Sequence, residues 1–260
     1  MSSPHTPQAR ILLPAALPVL AAAAMTAAIA LMFFYAPTEA LQGPVQRIFY
    51  VHVPAAWVAY LAFAVVALSS LLVLVTREPA TTQRWDRIAG AGAELGVLFT
   101  TIVLITGPIW GRRVWGVWWV WDARLTSTLV LWTIYAGYLV FRSLTPPGPR
   151  RARTSAVIGI IGAIDIPVVH FAVVWWRTLH PLPTVLRPEG PQLPRSMLVT
   201  LLVSLAAFTL LFWTLLVMRV SQAESSARLA ALGDYPPGSQ PPYAAPPAPA
   251  SALPVETQGA

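Results

Sequence analysis

The most distinctive chemistry in the chain lies in residues 110–124, Trp-Gly-Arg-Arg-Val-Trp-Gly-Val-Trp-Trp-Val-Trp-Asp-Ala-Arg, which we call the tryptophan segment. It holds five of the eleven tryptophans, together with three arginines and one acid. Indole rings favour the membrane interface, and one or two of them would need no other explanation. Five rings beside guanidinium groups suit a large planar ligand with acidic edges, because rings stack on its face and cations pair with its carboxylates.

The local conformation of the tryptophan segment decides which of its side chains act together. If the segment is helical, three- and four-residue spacing produces two neighbouring faces. One face holds Trp115, Trp119 and Asp122, and the other holds Trp118, Trp121 and Leu125. Gly116 would then let a ring approach the backbone. Asp122 stands just before an apolar stretch and is equally well explained as a helix N-cap, a role compatible with ligand binding.

Composition indicates a polytopic membrane protein, because 56% hydrophobic and 10% charged residues do not fit a soluble surface. The net charge of +7 does not indicate nucleic-acid binding, since the arginines lie in short loops between apolar spans. The absence of cysteine excludes disulfides, thiolate metal ligands and thiol redox chemistry in this chain. Ligand binding therefore depends on His, Arg, Asp and Trp side chains.

The apolar runs predict an all-α fold with six transmembrane helices at about residues 11–35, 53–75, 88–109, 125–144, 154–174 and 197–218. The first run is too long for a signal-peptide core, so we predict that it is retained. Ten arginines fall on the side of the termini and seven on the other, which places both termini in the cytoplasm. Residues 1–10 then form a cytoplasmic N-terminus, residues 11–218 the membrane domain, and residues 219–260 a disordered tail rich in Pro and Ala.

Two acids and one histidine fall inside the predicted spans. Glu94 lies near the start of the third span, where we expect it to reach out to Arg87 or Arg84. Asp165 and His170 lie in the fifth span, and the sequence assigns no role to either.

His52 and His180 occupy two predicted outer loops that flank the tryptophan segment. A single histidine is more often a hydrogen-bonded structural residue than a ligand. Two imidazoles from separate loops could hold an iron from opposite faces, while indoles cover a porphyrin and arginines pair with its propionates. A zinc site would require three or four ligands, and the predicted outer loops contain few acids. An electron-transferring cytochrome would carry its histidines within facing helices, whereas these are predicted at helix ends and in loops.

Three stretches are similar to one family. Trp115-Gly-Val-Trp-Trp-Val-Trp-Asp-Ala-Arg-Leu-Thr-Ser127 closely resembles the tryptophan-rich WWD motif of the haem-handling proteins of cytochrome c maturation. Its ending resembles that of the small six-span family called haem exporter protein C. Residues 47–56, Arg-Ile-Phe-Tyr-Val-His-Val-Pro-Ala-Ala, and 175–180, Trp-Trp-Arg-Thr-Leu-His, resemble that family's two histidine loops.

The resemblance implies that His52 and His180 are the axial ligands of a transiently bound haem b. It places the haem against the tryptophan segment, and the haem-contacting residues expected there are Trp115, Gly116, Trp118, Trp119, Trp121, Asp122 and Arg124. We expect Arg47 and Arg124 to pair with the haem propionates, with Arg112 or Arg113 as further candidates. Such a protein makes no covalent bond itself and need not be an enzyme.

The resemblance also implies a cellular role at the periplasmic face of the bacterial inner membrane. There the protein would present haem to a membrane-anchored haem chaperone. The other expected partners are an ATP-binding-cassette transporter, with its ATPase and membrane subunits, and a small single-span membrane subunit. Two alternatives remain open: a transporter that carries haem across the membrane, and a haem lyase component that attaches haem to apocytochrome c.

Overall fold

The structure, a computed structural model, describes residues 16–176, 178–181, 185 and 187–233. Within these ranges the repetitive structure is helical, as predicted. The α-helices are α1 (Ala16–Ala30), α2 (Phe49–Val75), α3 (Pro79–Trp115), α4 (Ala123–Leu144), α5 (Pro149–Trp175) and α6 (Arg195–Gly233). A π-helical turn, Leu31–Tyr35, extends α1, and a 3-10 helix, Pro44–Ile48, runs directly into α2.

Five helical stretches in the described part of the chain are long and apolar enough to cross a membrane. They are Ala16–Tyr35, Pro44–Val75, Pro79–Trp115, Pro149–Trp175 and Arg195–Ala230. Helix α4, with 22 residues, is not among them because its arginine and hydroxyl side chains dilute its apolar content. Length and composition therefore support five of the six predicted spans.

Helices α2, α3 and α5 begin several residues earlier than the sequence predicted. Helix α2 starts at Phe49, so His52 lies inside it and the prediction of His52 in a loop is wrong. Pro54 has no N–H, so this helix lacks one backbone hydrogen bond at that position. The helix still forms, because it continues directly from the 3-10 helix and is held by its apolar packing. Helix α3 starts at Pro79, a residue that suits the first helical position because that N–H has no intrahelical partner.

Helix α6 differs from the prediction at its C-terminal end. It continues past Met218 to Gly233, whereas the sequence predicts a disordered tail from residue 219. Residues 221–232 are all Ala, Ser, Glu, Arg, Gln or Leu, several of which are strong helix formers. The rest of the predicted tail, residues 234–260, lies outside the described residues.

Helix α2 packs against α3, α4 and α5 through close contacts at glycines and aromatic rings. Phe63 stacks on Tyr135 with ring centroids 3.9 Å apart. A Cβ atom at Gly96 would lie 2.2 Å from the Phe63 ring, so α3 can approach α2 here only because residue 96 lacks a side chain. The hydroxyl of Tyr135 donates to the carbonyl of Gly159 at 2.8 Å and joins α4 to α5. These contacts fix the helices from which the outer loops emerge.

Two carboxylates form three ion pairs that join the helices at the end of the bundle away from the tryptophan segment. The carboxylate of Asp86 on α3 is nearly buried and pairs with Arg142 on α4, and with Arg151 on α5 at 3.5 Å. Glu94 pairs with Arg219 on α6, with an N–O distance of 2.5 Å. The prediction that Glu94 reaches Arg87 or Arg84 on its own helix is therefore wrong. Helix packing instead brings Arg219 of α6 to this carboxylate.

Candidate functional site

The tryptophan segment is helical only at its two ends, in the last residues of α3 and the first two residues of α4. Helix α3 ends at Trp115, and Gly116 follows with φ of 77°, the left-handed conformation that glycine adopts most easily. Arg112 donates to the carbonyl of Gly116 and closes the helix end. A Cβ atom at Gly116 would meet nothing within 4 Å, so this position requires glycine for its backbone angle and not to admit a ring. The helical faces considered for the whole segment do not form, because the chain is non-helical from residue 116 to residue 122.

Asp122 connects the tryptophan segment with the loop that carries His180. Its Oδ1 atom accepts from the backbone N–H of Leu125 at 2.8 Å, which makes it the N-cap of α4. Its Oδ2 atom accepts from the backbone N–H of Leu179 at 3.2 Å. One carboxylate therefore starts α4 and holds the residue next to His180.

His180 lies half-buried against the end of α3. Its ring meets the Trp115 ring edge-on, with centroids 5.0 Å apart. Burial lowers the pKa of His180 to about 4; Arg124 adds to this shift and Asp122 opposes it. The imidazole is therefore neutral near pH 7, the form that coordinates metals. Its Nδ1 atom is buried without a hydrogen-bond partner among the described residues.

His52 reaches the same region from α2. Its Nδ1 atom lies 2.9 Å from the Thr106 hydroxyl, and its ring meets Trp110 edge-on with centroids 5.9 Å apart. Both His180 and Arg124 are close enough to act on the His52 imidazole electrostatically. The structure therefore brings together the two histidines that lie on either side of the tryptophan segment in the chain.

The four arginines considered for acidic ligand groups have different surroundings. Arg124, in the first turn of α4, acts electrostatically on both imidazoles and interacts with the hydroxyl of Tyr60. Arg47 donates to the carbonyl of Met32 at 3.0 Å and to Thr38, so its side chain contacts the end of α1. Arg112 is bound to Gly116, as described above, and Arg113 is exposed. Arg124 is the arginine that lies beside the histidines.

The tryptophans of the segment form an exposed aromatic edge. Trp118 and Trp121 leave 60% and 75% of their surface exposed. Trp119 is half-buried, packs edge-on against Trp121 at 5.6 Å, and keeps its indole nitrogen buried without a partner in the described part of the chain. An open cavity of about 490 Å³ adjoins them, lined by Val120, Trp121, Asp122, Thr178 and Leu179. Exposed rings of this size suit a flat apolar ligand or a partner surface.

Sequence reasoning missed three residues that contact the site. Thr106 binds His52, Tyr60 interacts with Arg124, and Gln42 accepts from the Trp110 indole at 2.8 Å. Thr106 is four residues before Trp110, so helical spacing could have placed both on one face of α3. Tyr60 and Gln42 carry no spacing signal, because their contacts depend on how separate elements pack.

The chemistry of this arrangement favours a planar metal complex over a bare metal ion. Within the residues that the structure describes, no three or more His, Asp or Glu side chains lie close enough together to hold a metal ion. A protein zinc site needs three or four such ligands. Two imidazoles with indole rings and a guanidinium group beside them match the requirements of haem, whose iron takes two axial ligands and whose propionates are anionic.

The fold and this arrangement define a multi-pass α-helical membrane protein with a histidine- and tryptophan-lined site at one end. A family model described as heme exporter protein C, CcmC, matches residues 4–232. The chain belongs to the heme exporter protein C family, as the sequence resemblance predicted. Its bacterial relatives and its apolar helices make it a multi-pass protein of the inner membrane.

Curated relatives from bacteria and mitochondria support the assignment. Heme exporter protein C of Bradyrhizobium diazoefficiens is 44% identical over 181 residues, which are 69% of this chain and 67% of the relative. A putative cytochrome c biosynthesis ccmC-like mitochondrial protein of Arabidopsis thaliana is 39% identical over 74% of this chain and 70% of its own length. Heme exporter protein C of Escherichia coli K12 is 36% identical over 72% of this chain and 74% of its own length.

Proposed function

We propose that this chain binds haem b transiently during cytochrome c maturation and presents it to another protein. His52 and His180 supply the axial ligands, Arg124 pairs with the propionates, and the exposed rings of the tryptophan segment cover the porphyrin. The observation that carries the proposal is the convergence of two imidazoles from separate parts of the chain, with Arg124 acting on both. The names of the relatives, heme exporter protein C, support haem as the ligand.

The surroundings of the imidazoles support iron ligation. His180 is neutral near pH 7, and its Nδ1 atom has no hydrogen-bond partner within the described residues. A buried polar atom without a partner is costly, so a ligand that used the imidazole lone pair would offset this cost. Trp115 and Trp110 flank the two histidines and restrict the orientation of their rings.

We propose that the site faces the periplasm and that the chain crosses the membrane six times, with α4 as the additional span. Helix α4 begins at Ala123, directly after its N-cap Asp122 beside the outer loop of His180, and ends at Leu144 near the ion cluster of Asp86. Its 22 residues are about 33 Å long, enough to cross the hydrocarbon core. Both termini then lie in the cytoplasm.

The partners we propose are a periplasmic membrane-anchored haem chaperone, the ATPase and membrane subunits of an ATP-binding-cassette transporter, and a small single-span subunit. The role of this chain is orientation: two axial ligands hold the iron while one edge of the haem stays exposed to the chaperone. The chain itself forms no covalent bond in this scheme. Because Trp118 and Trp121 are exposed, their rings are available to the chaperone as well as to the haem in this scheme.

Movement of haem through the bundle is a less favourable explanation of the described structure. The interior between α2 and α4 is filled by stacked rings, Phe63 on Tyr135, which are fully buried. A transport path for a dianionic ligand would need polar side chains at mid-depth. Presentation of haem at one end of the bundle requires no such path.

The experiment that tests the proposal measures haem retained by the purified chain and haem passed to the chaperone. His52→Ala and His180→Ala are compared with His170→Ala, a control histidine on α5 that packs against Tyr60 and Phe171. We expect the first two variants to lose haem absorbance and the chaperone–haem adduct, and the control to retain both. Equal behaviour of all three variants would refute the assignment, and a wild-type chain without haem would refute the function.

A further inference from the structure

The hydroxyl of Thr106 lies 3.5 Å from the backbone carbonyl of Val103 and has two closer hydrogen-bond contacts, whose directions can be worked out. It lies 2.7 Å from the backbone carbonyl of Ile102 and 2.9 Å from the Nδ1 atom of His52. A carbonyl oxygen can only accept, so the single hydroxyl proton of Thr106 is donated to Ile102. The oxygen of Thr106 is then left as an acceptor, and His52 must donate its Nδ1–H to it.

This direction fixes the tautomer of His52. A neutral imidazole carries one proton, so protonation at Nδ1 leaves the lone pair on Nε2. The ring approaches α3 closely at Gly107, where an added Cβ atom would lie only 3.2 Å from its Cε1 atom. Trp110 meets the ring edge-on from the next turn of α3. The imidazole of His52 on α2 therefore packs against three residues of α3: Thr106, Gly107 and Trp110.

We propose that Thr106 is a positioning residue that holds His52 with Nε2 directed at the haem iron. The inference rests on the proposed function and adds to it a residue outside the two histidine loops and the tryptophan segment. Histidines that bind metals generally donate their second ring N–H to a nearby acceptor, which fixes the tautomer and the orientation of the ring. Thr106 makes no contact with the metal and acts through His52.

The two axial histidines therefore differ in how they are held. His52 lies inside a helix and its second nitrogen is hydrogen-bonded to Thr106. His180 lies in a non-helical stretch, and its Nδ1 atom has no partner among the residues described. Removal of the Thr106 hydroxyl should therefore alter ligation by His52 alone.

The test uses the full-length protein in detergent with three variants. Thr106→Val keeps the side-chain shape and removes the acceptor, whereas Thr106→Ser keeps the acceptor. Thr133→Val is the matched control, because the Thr133 hydroxyl makes the same kind of bond to a carbonyl four residues earlier and faces away from the core. Two quantities are measured: the haem dissociation constant by titration, and the His52 tautomer in haem-free protein by nitrogen NMR of ¹⁵N-histidine.

We expect Thr106→Val to populate both His52 tautomers and to weaken haem binding by about 10- to 100-fold, the usual effect of removing such a partner. Thr106→Ser should restore the single tautomer and most of the affinity, and Thr133→Val should match wild type. Wild-type haem affinity and an unchanged tautomer in Thr106→Val would overturn the positioning role alone. A wild-type chain that binds no haem would overturn the proposed function, and with it this role.

Discussion

Asp122 accepts two hydrogen bonds, from Leu125 and from Leu179, and two substitutions at this residue distinguish their contributions. Asp122→Asn keeps one carbonyl oxygen for the N-cap of α4, since asparagine caps helices as well as aspartate. Its amide group then replaces Oδ2 and cannot accept from Leu179, so the bond to the His180 loop is lost. Asp122→Ala removes both bonds. The cap contributes about 1 kcal/mol, and the bond to the exposed Leu179 amide also contributes about 1 kcal/mol.

The assay is hydrogen exchange of backbone amides, with thermal unfolding as a second measurement. A loss of about 1 kcal/mol corresponds to about fivefold faster exchange, so both Asp122 variants should speed exchange at Leu179 by about this factor. Only Asp122→Ala should also speed exchange at Leu125, and it should lower the unfolding temperature more than Asp122→Asn does, because it removes both bonds. Unchanged exchange at Leu179 in both variants would refute the link between the tryptophan segment and the His180 loop.

Three further predictions concern the backbone, the ion cluster and the ligand contact. Gly116→Ala should cost about 1 kcal/mol because φ is 77° there, whereas Gly137→Ala, inside α4 with open space, should not destabilise the protein; unfolding temperatures that do not separate them would contradict this. Asp86→Asn leaves the largely buried Arg142 without its charge partner and should cost about 3 kcal/mol, measured by denaturant unfolding; a loss below 1 kcal/mol would contradict it. Arg124→Gln should weaken the binding of haem more than the binding of haem dimethyl ester, whose propionates carry no charge. Equal losses of affinity for the two ligands would show that Arg124 does not pair with the propionates.

Local chemistry explains what the sequence could predict. Asp122 as an N-cap followed from a polar residue before an apolar run, and the helical fold followed from the long apolar stretches. The pairing of α3 with α6 through Glu94 and Arg219 could not be predicted, since the two residues lie far apart in the chain. The hydrogen bond that Leu179 donates to Asp122 could not be predicted either, because these residues are also far apart in the chain.

The position of His52 shows a different limit. Pro54 suggested a helix start just before it, but a proline near the N-terminus of a helix also permits the helix to extend a turn further back. The placement in α2 changes the chemistry, because a helical His52 can be held by Thr106 on the neighbouring helix. Family resemblance identified the histidine, while only the packed structure identified the residue that orients it.

Electron paramagnetic resonance of ferric haem bound to the purified chain tests the central claim most directly, because it distinguishes two imidazole ligands from one. Wild type should show low-spin iron with two imidazoles, and His52→Ala and His180→Ala should each lose that signal. The same low-spin bis-imidazole signal in both variants would contradict the account.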